Sequence, residues 1–444
     1  MNARGRKGHT ISRYVSILVL TGLISLLVGV LITTYPFEST RLPNNTSPIT
    51  AAAQPVATSS IEQENVKAGP PLTDNPAEPA KWTFMVYIAA DDNTLEEAAI
   101  SDFIEMANIS SNENINIVVQ LDRIPGYDDS YNDWTDCRRF LVTEGLTPAD
   151  GNEIINIGEV NMGDPATLVS FLEWAASNYP AEKYALIISS HGKGWEGSCW
   201  DETSDNDNMD LSEMRSALSD ISAFIGRPLD VIGFDACLMG MTEVAYEVHD
   251  YASVMVASEH SEPSSGWPYD AILTQLTATP DINAAELATL VVDSYYIAHT
   301  PTSYTMAAVD LTKIDAVVNG LNDLAQALLG IYAGADVQTV KNYAGTVTTT
   351  LDEAVIYERH GTRWPGSHGL AIYFPKAQGE FDATYNAGTV SLVGDTAWEE
   401  FLIGYFTYAG NDWITAARDE TQQYYCKEHV DLYEFCQNLI DDEP

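Results

Sequence analysis

Two residues of this 444-residue chain have the types and settings needed for a nucleophile and its base. His191 follows the apolar run Leu186-Ile187-Ile188 through Ser189-Ser190 and precedes Gly192. Cys237 follows Val231-Ile232-Gly233-Phe234 through Asp235-Ala236. A thiolate attacks a carbonyl carbon, and an imidazole can take the thiol proton and return it to a leaving group. The pattern predicts a helix starting directly after Cys237, whose N-terminus would favour the thiolate. The backbone N–H groups of Gly192 and Cys237 are candidate donors to an oxyanion, because glycine permits close backbone approach. Taken singly, a cysteine at a strand end reads more readily as buried packing, and a histidine before glycine as structural. It is the two blocks together that point to chemistry.

Such a pair needs rigid elements to hold it. Short apolar runs recur between stretches of helical period: 82–88, 115–121, 184–188, 229–234 and 253–257 read as strands. Helices are expected from about 94 to 106, over 168–178, 209–218 and 238–248, and later over about 312–330 and 396–407. Residues 304–309 and 369–374 read as later strands. This alternation predicts an α/β fold with a mainly parallel sheet flanked by helices on both faces. In such sheets chemistry gathers at the carboxyl ends of strands, which singles out 91–93, 189–192, 235–237 and 258–262.

The N-terminus sets the expected compartment. Arg4, Arg6, Lys7 and Arg13 precede an uncharged run from Tyr14 to about Thr34, long enough to cross a bilayer as a helix. The basic flank is expected to stay cytoplasmic, leaving the rest outside. Residues 1–35 therefore read as a cytoplasmic tail and signal anchor, with secretion as the outcome if the helix is cleaved. Residues 36–80 carry eight prolines among Ser, Thr, Asn and Ala and read as a disordered linker. Residues 81–410 read as the folded domain and 411–444 as a C-terminal extension.

With 64 acidic against 21 basic residues the formal net charge is −43, which excludes nucleic acid as a partner. Acidity on this scale suits capture of basic substrates or divalent cations, and equally suits adaptation to high salt. Of the five cysteines, Cys426 and Cys436 could pair locally and Cys137 could pair with Cys199, leaving Cys237 as the odd thiol. The remaining histidines show no metal-ligand spacing, so no zinc site is expected.

The segments Ile187-Ile188-Ser189-Ser190-His191-Gly192 and Gly233-Phe234-Asp235-Ala236-Cys237-Leu238-Met239-Gly240 resemble the His-Gly and Asp-Ala-Cys blocks of clostripain-like cysteine peptidases. That family shares a clan with caspases, legumains, gingipains and separases. The opening Phe84-Met85-Val86-Tyr87-Ile88-Ala89-Ala90-Asp91-Asp92-Asn93 is similar too, as are Val256-Ala257-Ser258-Glu259, Gly266-Trp267-Pro268-Tyr269 and Gly369-Leu370-Ala371-Ile372-Tyr373-Phe374. The resemblance spans about residues 82–375. It implies a caspase-like fold, a His191–Cys237 dyad and cleavage of protein or peptide substrates after Arg or Lys. It makes Asp235 the candidate pocket acid, with Glu259 and Glu262 as weaker ones; a charged carboxylate there could pair bidentately with Arg. The competing reading of Asp235 is that it only satisfies turn amides.

Some relatives of this kind are stimulated by calcium and cut themselves between the two catalytic blocks. Here that loop offers Asp201, Asp205 and Asp207 as candidate Ca²⁺ ligands, oxygen donors suited to a hard cation. A solvated acidic loop is the alternative, and no cofactor is otherwise expected. From Gly194 to Met214 there is no Lys or Arg, which argues against self-cleavage in the loop at a basic residue. The chain is expected to act as a monomer, tied to the membrane through its N-terminal helix. Two other functions fit the same residues: a catalytically silent surface binding module, and a Cys-dependent transpeptidase.

Overall fold

The computed structural model describes residues 79–299, 304–408, 412–422 and 428–442. The apolar run at 14–34, nearly all of the linker, and Cys426 lie outside the described residues. No helix among the described residues is long and apolar enough to cross a membrane.

Thirteen strands are described. In chain order they are β1 (Ala80–Ala90), β2 (Ile115–Arg123), β3 (Cys137–Leu141), β4 (Ile155–Gly158) and β5 (Ala181–Ser189), then β6 (Ser198–Asp201) and β7 (Asp207–Met209). There follow β8 (Leu229–Asp235), β9 (Ala252–Ala257), β10 (Thr305–Asp310), β11 (Val355–His360), β12 (Ala371–Tyr373) and β13 (His429–Asp431). Nine of them form one sheet in the order β11-β10-β9-β8-β5-β1-β2-β3-β4. The five central strands from β9 to β2 are parallel. The two strands at each edge run antiparallel to their neighbours.

Strand β1 shows why both faces are covered. With a period of two, Trp82, Phe84, Val86, Ile88 and Ala90 enter one apolar cluster while Met85, Tyr87 and Ala89 enter the other. Helices Glu96–Ile109, Tyr269–Ala278 and Ala284–Ala298 close the Trp82 face. The Met85 face is closed by helices that include Pro165–Asn178, Leu211–Ile225, Ile314–Ile331 and Val337–Ala354. Trp413, Ile414, Leu432, Phe435 and Leu439, from the C-terminal residues, are buried in that same cluster. The expected α/β architecture is therefore present, with antiparallel edges added.

Three local expectations are corrected. The helix expected from Leu238 begins at Thr242 and ends at Val248. Leu238 itself adopts φ 66°, so the chain turns sharply after Cys237, and the Gly240 N–H bonds to the Ser258 carbonyl instead of entering a helix. The strand read over 369–374 is present as β12 but shortened to Ala371–Tyr373, and it pairs antiparallel with β13 in a small separate sheet. Cys137 and Cys199 are not bridged. Both are free and buried, Cys137 with its sulfur 3.8 Å from that of Met162 and Cys199 beside Ser198 in the β6–β7 hairpin.

One buried ion pair fixes the start of helix Glu96–Ile109 against the end of β2. Arg123 Nε donates to Glu96 Oε1 at 2.7 Å, and the two side chains are 0% and 1% exposed. Glu96 Oε2 accepts the Asp128 N–H at 2.8 Å, and Arg123 reaches the Asp128 and Ser130 carbonyls. Removing one member strands the other charge in a dry site, at a cost of about 3–5 kcal/mol. Glu96→Ala should therefore lower unfolding free energy in urea by about 3–5 kcal/mol, and a loss well under about 1 kcal/mol would contradict this role.

Candidate active site

Strand register brings the two catalytic blocks together. In the parallel pairing of β5 with β8, Ile187 lies opposite Gly233 and Ser189 opposite Asp235. His191 and Cys237 each stand two residues beyond that last pair, so both leave the sheet at the same level. The Ser190 N–H bonds to the Asp235 carbonyl at 3.3 Å and holds the two exits side by side. His191 and Cys237 line one cleft of about 160 Å³ with Thr94, Leu95, Asp102, Asp235, Glu262 and Gly266 among its walls.

The imidazole is held from the β1 side. Ile88 pairs with Ser189, so the turn after β1 reaches His191 directly. His191 Nε2 lies 3.1 Å from Asp92 Oδ1 and 3.0 Å from Thr94 Oγ1. Asp92 also accepts the Thr94 N–H at 2.7 Å. Burial alone would raise the Asp92 pKa, but the hydrogen bonds with His191 and Thr94 outweigh it and leave the carboxyl well below its ordinary value. A charged Asp92 thus faces the ring.

The thiol is held by a different segment. The Glu262 backbone N–H points at Cys237 Sγ from 3.3 Å. This donor takes the place of the helix N-terminus expected beside Cys237, which the structure puts at Thr242. Gly192 passes directly over the Cys237 backbone: a Cβ there would collide with the Cys237 carbonyl oxygen and press on Met239 and Ala236. Only glycine allows this approach.

Acids form the cleft floor. Asp235 is 7% exposed and accepts the Tyr269 hydroxyl at 2.9 Å. Tyr269 is delivered there because Gly233 has no side chain and the Trp267 indole occupies the space above it. Burial pushes the Asp235 carboxyl up to about 6, against the hydrogen bond from Tyr269. Asp102 is pushed further, up to about 9, by burial and then by Asp235. Burial, Asp235 and Cys237 also raise Glu262 well above its ordinary value. The two neighbouring carboxyls titrate as a pair, with Asp102 the harder of the two to ionise. Gly266, with φ 54°, leaves open the space that a Cβ would fill within 3.0 Å of Asp235 and 3.4 Å of Asp102.

Of the residues singled out in the sequence, His191, Cys237 and Asp235 share the cleft, and Gly192 packs on its edge. Glu262 lines it as well. Glu259 does not: it is 1% exposed and its carboxylate is bonded to Ser367 Oγ and to the Gly369 N–H, pinning the chain before β12. Asp205 and Asp207 are exposed on the β6–β7 turn. Only Asp201 of that trio joins a carboxylate group, and its companions are Asp91, Asp122 and Glu159. Asp92, Thr94 and Asp102 carried no assigned role in the sequence. Asp102 was detectable as an acid among Ala99, Ile100, Phe103 and Met106 on the buried face of its helix.

Residues 86–441 match the sequence profile of the Clostripain family, Peptidase C11. Over 241 residues the chain is 31% identical to clostripain of Hathewaya histolytica, a match covering 47% of this chain and 45% of that protein. A secreted C11 cysteine protease of Bacteroides thetaiotaomicron, solved with an irreversible peptide inhibitor, superposes with a TM-score of 0.56 at 19% identity, covering 72% of this chain and 99% of that one. A further structure from the same organism, "iotapain", gives 0.50 at 16% identity, over 73% of this chain and 99% of its own. The likeness of these structures is one of fold, while the profile match runs from β1 almost to the C-terminus and takes in both catalytic blocks. The chain belongs to the clostripain family of cysteine peptidases.

Proposed function

We propose that the chain is an endopeptidase that cuts proteins and peptides after Arg or Lys through a His191–Cys237 dyad. The observation that carries this reading is the buried Asp235 carboxylate on the floor of a cleft that also exposes the thiol and has no Lys or Arg in its lining. A guanidinium or ammonium entering there meets a partly desolvated anion and forms a charge-assisted pair. Burial and the neighbouring Asp235 favour the neutral form of Asp102 beside it.

In the mechanism that follows, the scissile carbonyl lies between Cys237 Sγ and the Gly192 edge. His191 takes the thiol proton, and the sulfur attacks to give a tetrahedral oxyanion. The backbone N–H groups of Gly192 and Cys237 are its proposed donors. Collapse expels the amine with a proton from His191, and water then hydrolyses the thioester. Asp92 and Thr94 orient the ring and stabilise its protonated form. The absence of Lys and Arg from 194–214 favours action as a single, uncut monomeric chain. An extracytoplasmic location is part of the same reading, supported by the basic and then apolar N-terminus and by a relative described as secreted. Membrane attachment through residues 14–34 is proposed on the sequence alone.

The full chain and its Cys237→Ala variant, assayed on peptides differing only in the residue before the cut, should hydrolyse Arg and Lys peptides in the parent alone. A preference for Asn, Asp or Leu would remove Asp235 from the pocket role. Aminolysis products in the presence of an added amine would indicate a transpeptidase, and no turnover of any peptide a binding module. Asp235→Asn should cut kcat/KM for Arg peptides by about 30-fold or more, the effect of stranding one member of a buried charge pair.

Asp235 carries its charge above about pH 6 and loses it as the pH falls through that value. The parent's kcat/KM for Arg peptides should therefore drop on the acid side with a midpoint near 6, and that limb should vanish in Asp235→Asn. An unchanged limb would assign it to another group.

Asp92→Asn removes a charged hydrogen-bond partner of the base and should lower kcat by about 10–100-fold with little change in KM. Gly192→Ala should abolish turnover while leaving the far-UV circular dichroism of the parent. An active Gly192→Ala enzyme would show that the close backbone approach is dispensable.

A further inference from the structure

A second space adjoins the cleft along helix Glu96–Ile109. Glu97, Ser101 and Glu105 recur on that helix every four residues and so share one face, with Asp102 beside them. Together with Ser264 and Ser265, from the segment between Glu262 and Gly266, they line an open cavity of about 330 Å³. Its lining holds three carboxylic acids and no Lys, Arg or His. Thr94, Ala98, Asp102 and Ser264 line the catalytic cleft as well, so the two spaces share a wall.

Asp102 is the acid in that wall. It is 4% exposed, yet no described residue gives its carboxyl a hydrogen bond; the groups that act on it are the carboxyls of Asp235 and Glu105, both repulsive. Glu105 Oε2 is buried and likewise has no hydrogen-bond partner among the described residues. Burial and then Asp235 push the Asp102 carboxyl up to about 9, and burial and then Asp270 raise Glu105. A solvated acidic helix face accounts for the exposed Glu97 but not for these two. A cation beside them would favour their ionised forms and offset the cost of burying them.

We infer that this cavity is a second subsite for a basic side chain, taking the guanidinium or ammonium of another Arg or Lys near the residue before the cut, so that peptides with paired basic residues are preferred. This rests on the reading of Asp235 as the acid that takes the first basic side chain. Glu97, Asp102 and Glu105 do not bring ligand oxygens within 4.8 Å of one another as the acids around Asp122 do, which suits a single chelated ion poorly. A guanidinium spreads five N–H donors over a planar fork and can engage separated acids. In an extended peptide, side chains two residues apart share a face at a spacing of about 6.6 Å, which suits two adjoining spaces with one common wall.

Binding is to be read by fluorescence anisotropy on the chelator-treated full chain carrying Cys237→Ala, at about 0.15 M salt to screen long-range attraction. Each labelled peptide holds one Arg, and a second Arg is walked over the two positions on either side of it, with neutral citrulline at the same place as the control. At one position Arg should bind tenfold or more tighter than citrulline, the effect of a charge-assisted hydrogen bond in a partly buried site. Binding in two registers would give only about twofold. The Glu97→Gln, Glu105→Gln double variant, and the exposed Glu97→Gln alone should the double variant fail to fold, should cut that gain to threefold or less. No gain at any position, a gain that persists in these variants, or an equal gain at every position, as the net charge of −43 alone would give, would each overturn the subsite. Citrulline in place of the first Arg tests the Asp235 reading separately: unchanged affinity there would remove that reading, whereas loss of affinity there without a gain from the second Arg would remove only the subsite.

Discussion

The parallel register of β5 on β8 is the constraint on which the rest depends. Because Ser189 lies opposite Asp235, equal two-residue extensions carry His191 and Cys237 out of the sheet side by side. A slip of one residue would turn every side chain of one strand to the opposite face and stagger the two exits by about 3.3 Å along the strands. The close pass of Gly192 over the Cys237 carbonyl then needs no special loop; it follows from two exits at the same level, provided residue 192 lacks a side chain.

The same level of the sheet concentrates negative charge. Asp92 faces His191, Asp235 lines the cleft, and Asp91 and Asp122 belong to the neighbouring acid group, all at the carboxyl ends of central strands or just beyond them. Burial in each case works against the charged form, and the fold answers with different partners. Asp92 has His191 and Thr94; Asp235 has Tyr269 and, in our reading, the substrate. Both oxygens of Asp122 have no hydrogen-bond partner among the described residues.

Much of this was legible in the sequence. Strands β1, β5 and β8 each contain an apolar run, and the residues past their ends are where an α/β sheet presents chemistry. The edges were not legible, for physical reasons. Strand β3 reads Cys-Arg-Arg-Phe-Leu, and two adjacent arginines hide a strand whose charges are met by Gln120, Asp136 and the Trp134 and Trp174 rings. The turn after Cys237 was read as helix because Leu238–Val248 has helical composition, but tertiary bonds to His260 and Ser258 hold its first residues elsewhere. Glu259 and Glu262 are three apart and chemically equivalent, and only the fold separates a loop anchor from a cleft wall. Partners of the acids at 91, 122, 159 and 201 come from four different elements, so no local spacing could announce them.

Site-directed labelling with a reactive substrate mimic tests the central claim most directly. The full chain would be treated with an Arg peptide chloromethyl ketone and with its Leu counterpart, and every cysteine followed by peptide mass spectrometry. The account predicts one adduct, on Cys237, formed much faster by the Arg reagent, with that advantage lost in Asp235→Asn. Equal labelling by the two reagents, or modification of Cys137, Cys199 or Cys436 in preference to Cys237, would contradict it.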